Sequence, residues 1–227
     1  MMKQALLSLA MVVALVCSTA SADIVVEYTT AGGVQSLRAN GNTSSNVVGD
    51  ALTAGSGLNV TNFSTFNFTG WDTASTSFAD AVAANDFWSW GFDVVTAGTT
   101  IQLTDLNIRL DRSGSGPDDF EIQASVNGGS PITVLTHDFM DSASGVNFTN
   151  VDLSALGTVT TGDSVEFILA AFNSESAAGS FDLETITFPD GTDSLQVNGV
   201  ITKVVPEPTS CLVVSLLAGV AISRRRR

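Results

Sequence analysis

The chain has 227 residues, 44% hydrophobic and 14% charged, with 23 Asp and Glu against 9 Lys and Arg for a formal net charge of -14. That length supports one domain or a small pair with a real core, because a domain of ~150 residues buries roughly 70% of the surface its unfolded chain exposes. The acid excess excludes a nucleic-acid binder, whose phosphate contacts call for a basic face, and low charge with high apolar content excludes wholesale disorder.

In chain order, the first element is a sorting segment. Lys3 supplies a short positive region, residues 5–16 are uncharged and mainly apolar, and Ala20-Ser21-Ala22 is an A-x-A cleavage site. Residues 1–22 therefore read as a secretory signal peptide, cut by signal peptidase so that the mature chain begins at Asp23. The apolar stretch is shorter than the ~20 residues a spanning helix needs.

The region that follows is punctuated like β-structure. Across the whole chain Asp outnumbers Glu 17 to 6, and Asp, Asn, Ser and Thr suit turns and caps whereas Glu and Lys suit helix interiors. Short apolar runs between turn signals predict strands over 24–29, 62–69, 87–95, 100–110, 119–126, 132–136, 146–153, 164–172, 180–188 and 195–203. One helix is predicted near 77–85. Residues 31–56 hold few large apolar side chains and read as a long loop. In the 100–110 run, Ile101 and Leu103 point one way and Leu106, Ile108 and Leu110 the other, so a bulge is expected near Asp105. Gly114-Ser115-Gly116-Pro117, Asn127-Gly128-Gly129 and Pro189-Asp190-Gly191 fall between strands as turns should. This rhythm predicts an all-β sandwich.

The C-terminus carries a second sorting device. Pro206-Glu207-Pro208 holds the backbone extended and accessible. Residues 209–223 are apolar and marginal in length for a bilayer. Arg224, Arg225, Arg226 and Arg227 then stop translocation and stay on the cytoplasmic side. Both cysteines, Cys17 and Cys211, lie in the sorting segments. The mature chain is thus expected to have no disulfide, thiolate nucleophile or cysteine-ligated metal.

Taken part for part, this tail resembles the PEP-CTERM sorting signal of exported bacterial proteins. The resemblance implies that a membrane-embedded exosortase-type enzyme recognises Pro206-Glu207-Pro208 and removes an apolar sorting helix that anchors the precursor only transiently. Residues from about 99 to 200 also resemble a module of other PEP-CTERM proteins. The matching pieces are Arg112-Ser113-Gly114-Ser115-Gly116-Pro117, Phe120, Ser125-Val126-Asn127-Gly128, Asp152-Leu153-Ser154, Gly179-Ser180-Phe181 and Ile186. That similarity implies a jelly-roll-like sandwich akin to carbohydrate-binding modules. The chain departs from the pattern at Val165-Glu166-Phe167, which lacks an arginine, and at Leu183-Glu184, which replaces an acidic pair. The expected organisation is a signal peptide (1–22), N-terminal strands and a long loop of the sandwich (23–98), the jelly-roll-like module (99–203) and the sorting signal (204–227).

Chemistry between the ends offers few candidates. His137 beside Asp138 lacks a Gly-x-Ser-x-Gly elbow, and a lone histidine cannot build a zinc cluster. Asp118, Asp119 and Glu121, or Asp182 and Glu184, could stand at glycosidase separations, although acids on the solvent face of a sandwich are ordinary. Asp111, Ser113 and Ser115, followed by Gly116, open like a calcium loop, making structural calcium the candidate cofactor. Ile122 stands where the bidentate Glu would be, and a hairpin turn fits the same residues. Trp71, Trp88 and Trp90 are the candidate carbohydrate-binding residues. Trp88 and Trp90 share a strand face with Phe92, so the core is their favoured place, while Trp71 beside Gly70 is expected to be the most exposed.

The sequence therefore points to a non-enzymatic protein exported to the cell surface or extracellular matrix, structural or adhesive in role. Its expected partners are signal peptidase, an exosortase-type enzyme and extracellular polysaccharide. Carbohydrate binding through exposed tryptophans is the alternative, and a glycosidase the third reading. Removing 1–22 and 206–227 takes five bases but one acid, Glu207, so the net charge sharpens from -14 to -18.

Overall fold

A computed structural model describes residues 22–29, 36–37, 43–61, 66–140, 145–184 and 195–203. The residues up to Ser21, the tail from 204 onward, Ile186 and the turn expected at 189–191 lie outside them. Among the described residues no helix is long and apolar enough to cross a membrane.

The strands are β1 (Asp23–Tyr28), β2 (Ser36–Leu37), β3 (Val47–Gly49), β4 (Leu52–Ala54), β5 (Asn59–Val60), β6 (Phe66–Thr69), β7 (Phe87–Val94), β8 (Thr99–Arg112), β9 (Pro117–Val126), β10 (Ile132–Asp138), β11 (Val146–Asp152), β12 (Thr158–Thr160), β13 (Ser164–Ser174), β14 (Phe181–Leu183) and β15 (Leu195–Lys203). One helix, α1 (Phe78–Ala84), precedes β7. All pairings are antiparallel and form two sheets.

In the first sheet β15 and β14 flank one side of β8, and β11 and β12 the other, with β1 beyond β15 and β6 and β5 beyond β14. The second runs β10–β9–β13–β7, with β3 and β4 on β7 and β2 on β4. The sheets pack face to face as a sandwich. Trp88 of β7 meets Phe181 of β14 at 5.2 Å between ring centroids, and Phe120 of β9 meets Phe148 of β11 at 5.3 Å. The strands before residue 99 are integral to this sandwich, because β1 pairs with β15 and β7 with β13.

Alternation explains which side chains face inward. On β9, Phe120, Ile122 and Ala124 are buried, and on β7 so are Trp88, Trp90, Phe92 and Val94. Each large side chain fully removed from water contributes roughly 1.5–3 kcal/mol. The face switch expected near Asp105 is present. Asp105 pairs with Asn198 while Leu103 pairs with the next residue, Gly199, leaving Thr104 as the extra residue of a bulge. Ile101 and Leu103 before it and Leu106, Ile108 and Leu110 after it can therefore all be buried.

Helix α1 forms where expected because both ends are capped. Ser77 Oγ accepts from Asp80 N and donates to Asp80 Oδ2, a reciprocal N-terminal box. Hydrogen bonds donated by the Ser77 hydroxyl first, and then by Thr76 N, hold the Asp80 carboxyl below its ordinary pKa. Asn85 ends the helix at φ 64°, its N–H reaching Ala81 O and Val82 O. The helix buries Ala81 and lies against β13.

The long-loop expectation for 31–56 is corrected. β3 and β4 lie within it and pair with β7, burying Val47 and Leu52. Strands this short carry no readable alternation and form because the edge of β7 offers them backbone partners. Tyr28 secures the same corner from the opposite sheet. It is fully buried, and its hydroxyl donates to Asp50 O at 2.6 Å and Gly91 O at 3.1 Å. Burial raises its pKa far above that of a free phenol.

Two of the segments that carry the module resemblance touch each other. Ser113 N donates to Ser180 O at 3.0 Å, Ser180 N to Ser113 Oγ at 2.8 Å, and Ser176 N to Ser115 O at 3.1 Å. The chains come so close that a Cβ on Gly179 would stand 2.1 Å from Ser115 O, and one on Gly116 2.2 Å from Ser180 O. Glycine is required at both positions because backbone faces backbone.

Candidate functional site

The three tryptophans are core residues. Trp71 is 0% exposed, Trp88 1% and Trp90 2%, which corrects the expected exposure of Trp71. Although it lies outside any strand, its indole packs edge-on against Phe181 at 5.5 Å and Trp88 at 6.1 Å, and its Nε1 donates to Phe68 O at 3.0 Å. Trp90 stacks on Phe167 at 5.3 Å. None of the three can offer a ring face to a sugar.

The Asp111, Ser113 and Ser115 segment builds the β8–β9 connection. Gly116 N donates to Ser113 O at 2.9 Å, closing a turn, and Ser113 Oγ is taken by Ser180 N. Asp111 Oδ1 accepts from Arg112 N, and burial raises its carboxyl above the ordinary value. Among the described residues no group of three or more His, Cys, Asp or Glu side chains converges on a metal position. Of the oxygens in this segment, Ser113 Oγ and the Ser115 carbonyl join the two loops, while Asp111 Oδ1 is held by the neighbouring Arg112 N.

The carboxylates expected to pair are also engaged. Asp118 forms an ion pair with Arg112, whose side chain is 0% exposed and whose Nε and Nη2 donate to Ser113 O and Gly114 O at 3.0 Å. Asp119 Oδ2 accepts from Asn173 Nδ2, and Glu121 Oε1 accepts from Gln123 Nε2 and Thr133 Oγ1, both at 2.7 Å. Glu184 pairs with Arg109 at 2.8 Å. Asp182 is buried on β14 opposite Asp111. His137 is half-buried, in ring contact with Phe120, Phe139 and Phe148, and Asp138 Oδ1 accepts from Met140 N.

Depressions also open beside β1, lined by Ile24 and Ile201, and beside His137 and Asp119, and two more lie on the outer face of the second sheet, built by the outward members of three alternating strands. Register sets Gln123 of β9 opposite Ile168 of β13 and Ile168 opposite Ser89 of β7, and it sets Ser125 opposite Glu166 and Glu166 opposite Gly91. Two depressions flank β13 and share Glu166. One, of about 320 Å³, lies between Phe78 of α1 and the turn holding Gly128 and Pro131. The other, of about 350 Å³, lies between Ser89 and the Asp50–Ala51 corner. Both fall at the lower end of the range of about 300–1,000 Å³ typical of ligand sites.

No protein-family model matches this chain, and no curated protein matches its sequence.

Gly91 shapes the second depression. A Cβ there would stand 2.2 Å from Val165 O and 3.1 Å from Asp50 Oδ2, so glycine lets the Asp50 carboxylate lean over β7 toward β13. Burial first, and the neighbouring Asp93 carboxylate second, raise the Asp50 pKa above its ordinary value. A carboxyl whose folded pKa exceeds its unfolded one binds the proton more tightly when folded. It therefore takes stability away as pH rises through that range. Asp50→Asn is expected to melt at a higher temperature than the parent at neutral pH. The two curves should converge at acid pH, where both states of Asp50 are protonated, and parallel Tm-against-pH profiles measure this. Sequence reading missed this face because its residues are ordinary outward strand positions, and only register makes them neighbours.

Proposed function

We propose that the chain is a non-enzymatic exported protein of the PEP-CTERM class, delivered to the cell surface or extracellular matrix in a structural or adhesive role. The observation that carries this reading is the succession of motifs in the C-terminal sequence: Pro206-Glu207-Pro208, an apolar stretch, then Arg224 to Arg227. The signal-peptide pattern ending at Ala20 and Ala22 agrees with it, because both segments direct export. Signal peptidase and an exosortase-type enzyme are the processing partners, and the precursor is held in the membrane by its C-terminal segment until the tail is removed.

For the folded part, the reading is a jelly roll. Its support is the strand order: β1–β15–β8 with β11 and β12 on the far side of β8 in one sheet, and β7–β13–β9–β10 in the other. Each sheet draws alternately on early and late strands, which is how two interleaved Greek keys divide their strands. The contact between the 112–117 and 179–181 segments supports the module resemblance. The engagement of Asp118, Asp119, Glu121 and Glu184 in ion pairs and hydrogen bonds favours a structural role over hydrolysis.

Fractionation of host cells with and without the processing enzyme tests the sorting claim. With the enzyme, the protein is expected at the surface or in the matrix, ending near Pro206. Without it, the protein should be retained in the membrane with its arginine tail. Unchanged location and unchanged tail length would refute the proposal.

A further inference from the structure

The two depressions beside β13 adjoin at Glu166, and taken together they define a candidate groove across the strands, from the β9–β10 turn to the Asp50–Ala51 corner. It crosses β9, β13 and β7 to reach that corner, roughly 15 Å at about 4.8 Å per strand spacing, the length of a short oligosaccharide. Its floor mixes hydroxyl, amide and carboxylate groups (Ser89, Gln123, Ser125, Glu166) with an apolar edge of Phe78 and Ile168. Sugar rings present the same mixture, hydroxyls at the rim and C–H groups on the faces.

Charge narrows the occupant. Arg109, Arg112 and Lys203 all belong to the first sheet, so among the described residues no Lys or Arg lies on the second. The charged groups lining the groove are Glu166, which is exposed and touches both depressions, and Asp50. Asp50 and Glu166 line the same depression, and Asp50 Oδ2 and the Glu166 backbone both lie within 3.3 Å of the position a Gly91 Cβ would take, so both acids belong to the Asp50–Ala51 end of the groove. An anionic polymer would be repelled by both acids there, whereas an ammonium group would relieve the repulsion between them.

We infer that this groove binds a polysaccharide carrying free amino groups, an amino-sugar polymer. Its ring faces lie on Phe78 and Ile168, its hydroxyls meet Ser89, Gln123 and Ser125, and an ammonium sits against Glu166 and Asp50. The inference deepens the matrix reading and rests on it for the presence of such a polymer. Binding to purified protein is nevertheless independent of how the protein is sorted, so the two readings can fail separately.

The test is titration calorimetry of the full chain in detergent with a glucosamine oligosaccharide and with its N-acetylated counterpart, which keeps the rings but loses the charge. Binding to the glucosamine form is expected, weakening as salt is raised. Glu166→Gln should reduce affinity at least tenfold, and Phe78→Ala should weaken it without changing its salt dependence. Glu175→Gln, an exposed acid outside the groove, should leave it unchanged. No binding, equal binding to the N-acetylated oligosaccharide, or equal affinity for Glu166→Gln and Glu175→Gln would overturn the inference.

Discussion

Arg112→Met is expected to destabilise the fold by about 3 kcal/mol, the lower end of the ~3–5 kcal/mol lost when one partner of a buried ion pair is removed. The guanidinium lies at the inner end of β8 with its side chain 0% exposed, while Asp118 keeps 21% of its side chain open to water, which moderates the penalty. Removing the arginine strands the Asp118 carboxylate and takes the donors from Ser113 O and Gly114 O. The double variant Arg112→Met/Asp118→Asn is expected to recover part of the loss, because it also removes the unpaired charge. Urea unfolding at neutral pH measures both. A double variant no more stable than the single one would show that the arginine acts through the two carbonyls rather than through the ion pair.

Trp88→Ala is expected to cost about 4 kcal/mol, within the ~3–5 kcal/mol range for emptying a fully packed aromatic site. Its ring lies 5.2 Å from Phe66, 6.0 Å from Phe68, 6.1 Å from Trp71 and 5.2 Å from Phe181, so one side chain joins β7 to the residues of the opposite sheet. Trp88→Phe should cost less than half as much. The buried indole Nε1 has no hydrogen-bond partner, so phenylalanine loses volume without losing a bond. Thermal unfolding of the two variants side by side checks the ratio. Equal losses would mean that the indole N–H contributes in a way the packing does not account for.

These two sites show how differently residues announce themselves. Trp88 sits in a strand of regular alternation, and its inward direction follows from period two alone. Arg112 obeys the same alternation after Leu106, Ile108 and Leu110, but a guanidinium at an inward position is acceptable only if carbonyls and a carboxylate wait for it. Those partners come from the following turn and from β9. The bulge near Asp105 was legible because apolar residues changed face within one run, whereas the caps of the helix expected near 77–85, Ser77 and Asn85, are seen only in the structure.

The local chemistry of the sequence by itself determined the all-β class, the positions of the main strands, the one helix and the turn at Asn127-Gly128, because alternation, capping and turn preference act over a few residues. The tertiary structure alone decided the rest. Trp71 is buried by Phe181, which is distant in sequence, and β3 and β4 exist because β7 offers an open edge. Glu166, Gln123, Ser89 and Asp50 share a groove only through the register of β9, β13 and β7 and the close approach at Gly91. These features depend on which strands become neighbours, and that pairing is set by the packing of the whole sandwich rather than by any local segment.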